Sequence, residues 1–276
     1  MGRGILKRLA NSLGQVAARL PDTRRPGNDT KYELQDALKS ALSVFYLLHP
    51  SLLDFQRAME KKHRRSNLET LFGVKEIPSS NQMKTLLDDI EPGGLDCVFD
   101  EGLRISKLEG VYSKQKVLGG LMPLAVDGTW YFSSKEIHCE HCLTQTRKNK
   151  DGEEETLYYH DALTVAIVHY NSSVVLPLAP EFIRNEDGMD KQDCEINAFK
   201  RYLERRKEQL KLLNPVFLGD DLYSCHSICS KIDEMGMRFL FTCKDTSHRW
   251  IVEQTEGAPF EEYKRVEWDG KNHEFA

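Results

Sequence analysis

Leu124-Ala125-Val126-Asp127-Gly128-Thr129-Trp130 is an apolar run that delivers one carboxylate and then turns at glycine. Val216-Phe217-Leu218-Gly219-Asp220-Asp221 has the same form. Both stretches predict short buried strands ending in acid. Parallel neighbours in an α/β sheet bring their carboxyl ends to one edge, where sites are built. Two carboxylates on that edge suit a hard cation, because Mg²⁺ takes oxygen ligands and keeps several waters.

Working outward, the strand carrying Asp127 spans Leu121 to Phe132. The β-rich stretch Leu157 to Tyr170 is a second strand, and Asn171-Ser172-Ser173 turns it into a third, Val174 to Leu178. The segment between the first two strands is polar and contains the turn Asn149-Lys150-Asp151-Gly152. A helix follows, with Asp193 and Glu195 near its positive end and Ile196, Phe199, Leu203 and Leu210 on its core face. Val216 to Leu218 is the fourth strand. A helix over about Ser224 to Met235, closed by Gly236, leads to a fifth strand, Met237 to Cys243. The order β-β-β-α-β-α-β fits three antiparallel strands followed by right-handed parallel crossovers, the order of a ribonuclease-H-like fold.

Before residue 117 the period is helical. Leu34, Leu38, Ala41, Leu42, Phe45 and Leu48 share one face, and Pro50 ends that helix. Ser66-x-x-Glu69 and Ser79-x-x-Gln82 are capping-box patterns. The second opens a helix with Met83, Leu86, Leu87 and Ile90 on one side, and a further helix covers Val98 to Leu108. The expected α/β organisation is a basic arm or short helix, with an amphipathic segment over Ile5 to Leu20, and a linker over 1–30, a helical domain over 31–116, an incomplete ribonuclease-H-like mixed sheet over 117–250, and the start of a β-rich insertion over 251–276.

The 276-residue chain is 40% hydrophobic and 29% charged, which suits globular units with sizeable cores. No apolar run is long enough to span a bilayer, and no signal-peptide pattern is visible. Seven cysteines, an odd number, favour reduced thiols and a cytoplasmic setting. The net charge of −5 is unevenly spread, with six basic residues against one acidic residue in 1–27. A second basic cluster is Lys61-Lys62-His63-Arg64-Arg65. Basic patches on an acidic chain suit a polyanion held at chosen places, although solvated helix faces read the same way.

Asp127-Gly128-Thr129, Phe132-Ser133-Ser134 and Ile137-His138-Cys139-x-x-Cys142 resemble the first-carboxylate region of insertion-sequence DDE transposases. Tyr158-Tyr159-His160, Leu176-Pro177-Leu178 with Pro180-Glu181, and Lys191 to Asn197 continue the resemblance. Gly219-Asp220-Asp221-Leu222-Tyr223 is similar to the second-carboxylate motif, in a register that selects Asp220 ahead of Asp221. Pro50-Ser51-Leu52-Leu53-x-Phe55 and Ile77-Pro78-Ser79-Ser80 extend it towards the N-terminus.

The resemblance implies DNA cleavage and strand transfer with Mg²⁺ or Mn²⁺ on Asp127 and Asp220. It also implies transposon-end and target DNA as partners, a homodimer in a synaptic complex, and a nucleoid-associated location. The family's third acid is a glutamate on a later helix. None of Glu253, Glu256, Glu261, Glu262 and Glu267 matches it, so the chain is expected to end inside the insertion and to be inactive alone. The alternatives are a DNA-binding remnant without catalysis and a metal-dependent nuclease with a local substitute acid.

Other residues have competing readings. Cys139-x-x-Cys142 has half a zinc site's spacing and needs a second pair. Cys225-x-x-x-Cys229 has a usable spacing but lies beyond the fourth strand, so free buried thiols are the expectation, with Cys194 and Cys243 in the core. Glu195 reads either as a neighbour of the metal site or, preferably, as an acid that answers its helix dipole. His160 and His169 read as structural strand histidines. Lys244, at the end of the fifth strand, suits a DNA phosphate or a solvated strand end equally. Asn81, Gln82 and Lys84 open a helix that reads either as a groove-binding helix or as an ordinary amphipathic one.

Overall fold

A computed structural model describes residues 2–22, 24, 32–61, 67–150, 152–185, 191–255, 264–268 and 271–275. Its N-terminal part is helical: α1 (Gly2–Ala17), α2 (Leu34–Tyr46), α3 (Leu52–Met59), α4 (Ser80–Asp88) and α5 (Asp96–Leu108). Leu6 and Ala10 of α1 join Val44, Phe55, Phe72 and Met83 in one core cluster. Leu13 and Ala17 join Leu34 and Leu38 in another. Residues 2–17 are therefore packed into the helical unit rather than standing off as an arm. Their basic side chains alternate with apolar ones that find partners on α2 and α5, and burial of that stripe holds the helix down.

The Ser79 capping box forms in full, with Ser79 Oγ accepting from Gln82 N–H at 3.3 Å and Gln82 Oε1 accepting from Ser79 N–H at 3.3 Å. The capping pattern at Ser66 falls partly outside the described residues, and Leu68–Phe72 is a single π-helical turn closed by Gly73 in the left-handed region.

The sheet begins with β1 (Met122–Ser134), β2 (Leu143–Lys148), β3 (Glu154–His169), β4 (Ser172–Pro177) and β5 (Glu181–Phe182). After α6 (Lys191–Arg205) and α7 (Lys207–Leu213) come β6 (Pro215–Gly219), α8 (His226–Glu234) and β7 (Arg238–Phe241). The strand order is β2-β3-β1-β6-β7, with β4 and β5 also pairing with β3. β1 runs antiparallel to β3 and parallel to β6, and β6 runs parallel to β7. The molecule is thus a mixed α/β structure with a mixed sheet.

β2 was expected to be a polar excursion. It forms because Leu143 finds a buried place against Tyr159 and Ala198, while its polar residues face solvent from an edge position. α9 (Arg249–Thr255) follows β7, and β8 (Lys264–Trp268) pairs with β9 (Lys271–Phe275) in a separate hairpin. No helix among the described residues is long and apolar enough to cross a membrane.

α6, α7 and α8 cover one sheet face. Leu124, Val126, Leu163, Val165 and Phe217 meet Phe199, Leu203, Leu210 and Ile228 there. On the opposite face Val216 and Leu218 are only half-buried, and Leu240 is 69% exposed. Arg206 Nη2 to Asp96 at 2.7 Å and Gln209 Nε2 to Asp100 Oδ1 at 2.7 Å tie the helical unit to the end of the α6–α7 pair.

Candidate active site and metal centre

The last paired residues of β1 and β6 are Ala125 and Leu218. Continuing that register by two residues sets Asp127 beside Asp220, on strands about 4.8 Å apart. Leu124 and Val126 face the α6 core, as does Phe217. Alternation puts Asp127 on the other face, and Asp220 follows the last residue of β6; both are exposed.

A third carboxylate reaches this edge from the helix side. Glu195 is 4% exposed and accepts a hydrogen bond from the Tyr223 hydroxyl. Its carboxylate lies so close over Gly128 that a Cβ there would meet its oxygens at 2.6 and 2.9 Å. Gly219 gives way to Tyr223 in the same manner, since a Cβ would come within 2.7 Å of the ring. The glycines after Val126 and before Asp220 thus admit the Glu195–Tyr223 pair between the strand ends. Burial, the Glu195 hydrogen bond and the nearby Asp127 and Asp220 charges push the Tyr223 hydroxyl's pKa upward, which keeps it a protonated donor. Sequence reasoning assigned Glu195 to its helix dipole and missed this contact.

Asp220 Oδ1 accepts from Leu222 N–H at 2.9 Å, an Asx turn that sets the chain's exit from β6. Asp221 turns elsewhere and accepts from Lys244 N–H at 2.7 Å and from Ser247 Oγ at 2.6 Å. Those bonds, led by Ser247, hold its carboxyl below the usual carboxylate range. Lys244 is exposed at the start of that turn. Lys61 and Lys84 are exposed in the helical unit, and residues 62, 64 and 65 lie outside the described residues. The structure does not bring Lys61 or Lys84 into contact with the acids.

A different group converges more tightly. Cys139 Sγ, Cys142 Sγ and His160 Nε2 lie within 4.8 Å of one another. Cys139 is exposed, Cys142 buried and His160 half-buried. The partner that the half-site needed is a histidine on β3 rather than the Cys225 pair. Burial, with His141 nearby, lowers the His160 pKa and favours a neutral ring. Cys243, expected in the core, is exposed.

No family model matches the chain, and no curated protein matches it. Some solved structures show a slight likeness. A Mos1 transposase paired-end complex with left transposon end is 13% identical, covering 86% of this chain and 74% of that one, at a TM-score of 0.22. A Mos1 mariner paired end complex with Mn is 13% identical, covering 86% of this chain and 68% of that one, at 0.20. Scores of this size carry no weight for the fold or the chemistry.

Proposed function

We propose that the chain is a DNA transposase, or part of one, whose α/β unit is ribonuclease-H-like and holds Mg²⁺ or Mn²⁺ on Asp127 and Asp220. One observation carries the proposal, the parallel pairing of β1 and β6 up to Ala125 and Leu218, two residues before Asp127 within β1 and Asp220 just past β6. The order β4-β3-β1-β6-β7, antiparallel up to β1 and parallel beyond it, supports the fold part of the reading. The donors fit a hard cation: both are carboxylates and both are exposed. When bound, such ions polarise phosphoryl oxygens and lower the pKa of a bound water.

The chain's own residues have separate tasks. Asp127 and Asp220 concentrate negative charge at the edge, so a nucleic-acid phosphate meets repulsion there unless a cation intervenes. Tyr223 and Glu195 hold the ends of β1 and β6 in place from beneath. Lys244 supplies a point charge for phosphate beyond that edge. In the helical unit Lys61, Lys62, Arg64, Arg65 and Lys84 supply sequence-independent phosphate contacts. Two copies in one synaptic complex would present two such edges to paired DNA ends.

A second reading, a metal-dependent nuclease with a local acid, is favoured by the position of Glu195 against Gly128. Labelled duplex DNA tests the first reading. A cation-dependent gain in retention of the duplex, above what the helical unit's basic residues hold, is expected and is lost in Asp127→Asn and Asp220→Asn, whereas the absence of any such gain contradicts the reading. Hydrolysis lost in Glu195→Gln, with no strand-transfer product, selects the nuclease.

A further inference from the structure

We propose that Cys139, Cys142 and His160 bind one zinc ion that clamps the base of the β2–β3 hairpin. The inference does not depend on the reading of Asp127 and Asp220. His160 lies four residues along β3 from Thr164, the partner of Asp127, which is roughly 14 Å at about 3.4 Å per residue.

The argument starts from register. β2 and β3 pair up to Leu143 and Tyr159. One further antiparallel step sets Cys142 opposite His160, a cross-strand pair whose Cβ atoms are about 5 Å apart. Cys139 is returned to the same place by a tight turn, in which Cys142 N–H donates to Cys139 O at 3.2 Å. Three ligands thus come from two strands and one turn.

The distances match a tetrahedral ion. Zn–S bonds of about 2.3 Å and Zn–N bonds of about 2.05 Å imply tetrahedral edges of about 3.8 Å between sulfurs and about 3.6 Å between sulfur and nitrogen. The observed edges are 3.8 Å for Cys139 to Cys142, 3.3 Å for Cys139 to His160 and 3.4 Å for Cys142 to His160. A disulfide is excluded at that separation, since its bond is about 2.05 Å. Thiol hydrogen bonds satisfy the triangle poorly. A neutral imidazole offers one acceptor lone pair at Nε2, and two sulfurs crowd it at once. A single cation inside the triangle meets all three lone pairs.

The surroundings hold the ligands in place. Cys139 N–H donates to Cys142 Sγ at 3.3 Å, which supports a thiolate. The His160 ring stacks on Tyr131 at 5.7 Å and 15°. Ser134 Oγ accepts from Ile137 N–H at 2.9 Å, and Asn185 Nδ2 donates to Glu140 O at 3.3 Å, so the loop is anchored just before the ligand turn and within it. Two soft sulfurs with one imidazole select zinc over Mg²⁺ or Ca²⁺. The fourth position opens on the solvent side, where Cys139 is exposed.

The test uses the full chain purified without chelator. Metal analysis should return about one zinc per chain. X-ray absorption at the zinc edge should show two sulfur neighbours and at least one imidazole nitrogen. Substituted cobalt should give thiolate charge-transfer absorption. Cys139→Ser and His160→Ala should lose the zinc, while Cys229→Ser and Asp127→Asn keep it. Zinc retained at full stoichiometry in both ligand variants overturns the proposal. So does a wild-type absorption spectrum without sulfur neighbours, and that spectrum decides the matter even where a variant fails to fold.

Discussion

Asp127 and Asp220 each stand two residues beyond a paired position, Ala125 and Leu218, on strands that run side by side in the same direction. The parity is what matters. With an even offset from that pair, the two glycines, Gly128 and Gly219, share the face of the α6–α8 core, where they meet Glu195 and Tyr223. A one-residue slip that brought Asp127 to the Gly128 position would drive its side chain into the Glu195 carboxylate.

The glycines can be tested directly. Gly128→Ala would place a methyl group 2.6 Å from a Glu195 oxygen. It should displace that carboxylate and cost about 1–3 kcal/mol, the usual range for overpacking. A reduced urea midpoint with an unchanged slope is the expected result.

Tyr223→Phe removes the hydroxyl that donates to a carboxylate only 4% exposed. The expected loss is about 1–3 kcal/mol, because the stranded acceptor keeps its desolvation penalty. Chemical denaturation of Tyr223→Phe, of Glu195→Gln and of the double variant should show strong non-additivity between the two positions.

Asp221 gives a pH prediction. Its pKa is depressed in the folded chain, by the Ser247 hydroxyl first and the Lys244 N–H second. A depressed carboxyl contributes stability that is present above its unfolded pKa and lost as pH falls through the folded one. The turn over 244–248 should therefore loosen in acid, below the ordinary carboxylate range. Amide exchange at Lys244 should accelerate there, and Asp221→Asn should exchange fast at every pH.

Binding of DNA through the helical unit should be salt-dependent, because each phosphate neutralised by Lys61, Lys62, Arg64 or Arg65 releases counterions. Charge reversal of these four should weaken binding across sequences and flatten the salt slope by about 1 per lost contact. An unchanged slope would remove this surface from consideration.

The core strands were legible from their apolar runs, although β1 does not turn at Gly128 as the sequence suggests but continues to Ser134. Leu124 to Asp127 and Val216 to Asp220 announce buried strands, and Asn171 to Ser173 marks the reversal between β3 and β4. β2 was not legible, since Thr144 to Lys148 is polar and only Leu143 is buried. Without β2 the grouping of Cys139, Cys142 and His160 is hidden too. Cys142 and His160 become neighbours only once Leu143 pairs with Tyr159. The Glu195 contact was hidden for another reason. Helical periodicity shows that Ile196 and Phe199 face the core, but not which point on β1 the first turn overlies. The helix after Asp220 begins at His226 because the Asp220 and Asp221 turn bonds occupy the intervening residues.

The most direct measurement of the central claim is Mn²⁺ binding followed by electron paramagnetic resonance, on chain loaded with one zinc per chain and freed of excess zinc, so that thiol ligands are filled without competition for the carboxylates. The wild-type chain should hold Mn²⁺, and Asp127→Asn and Asp220→Asn should each weaken it by at least about 10-fold, the low end of what disturbing a metal's supporting residues costs. Asp221→Asn should leave the affinity unchanged. Mn²⁺ binding that survives both Asp127→Asn and Asp220→Asn intact would contradict the account.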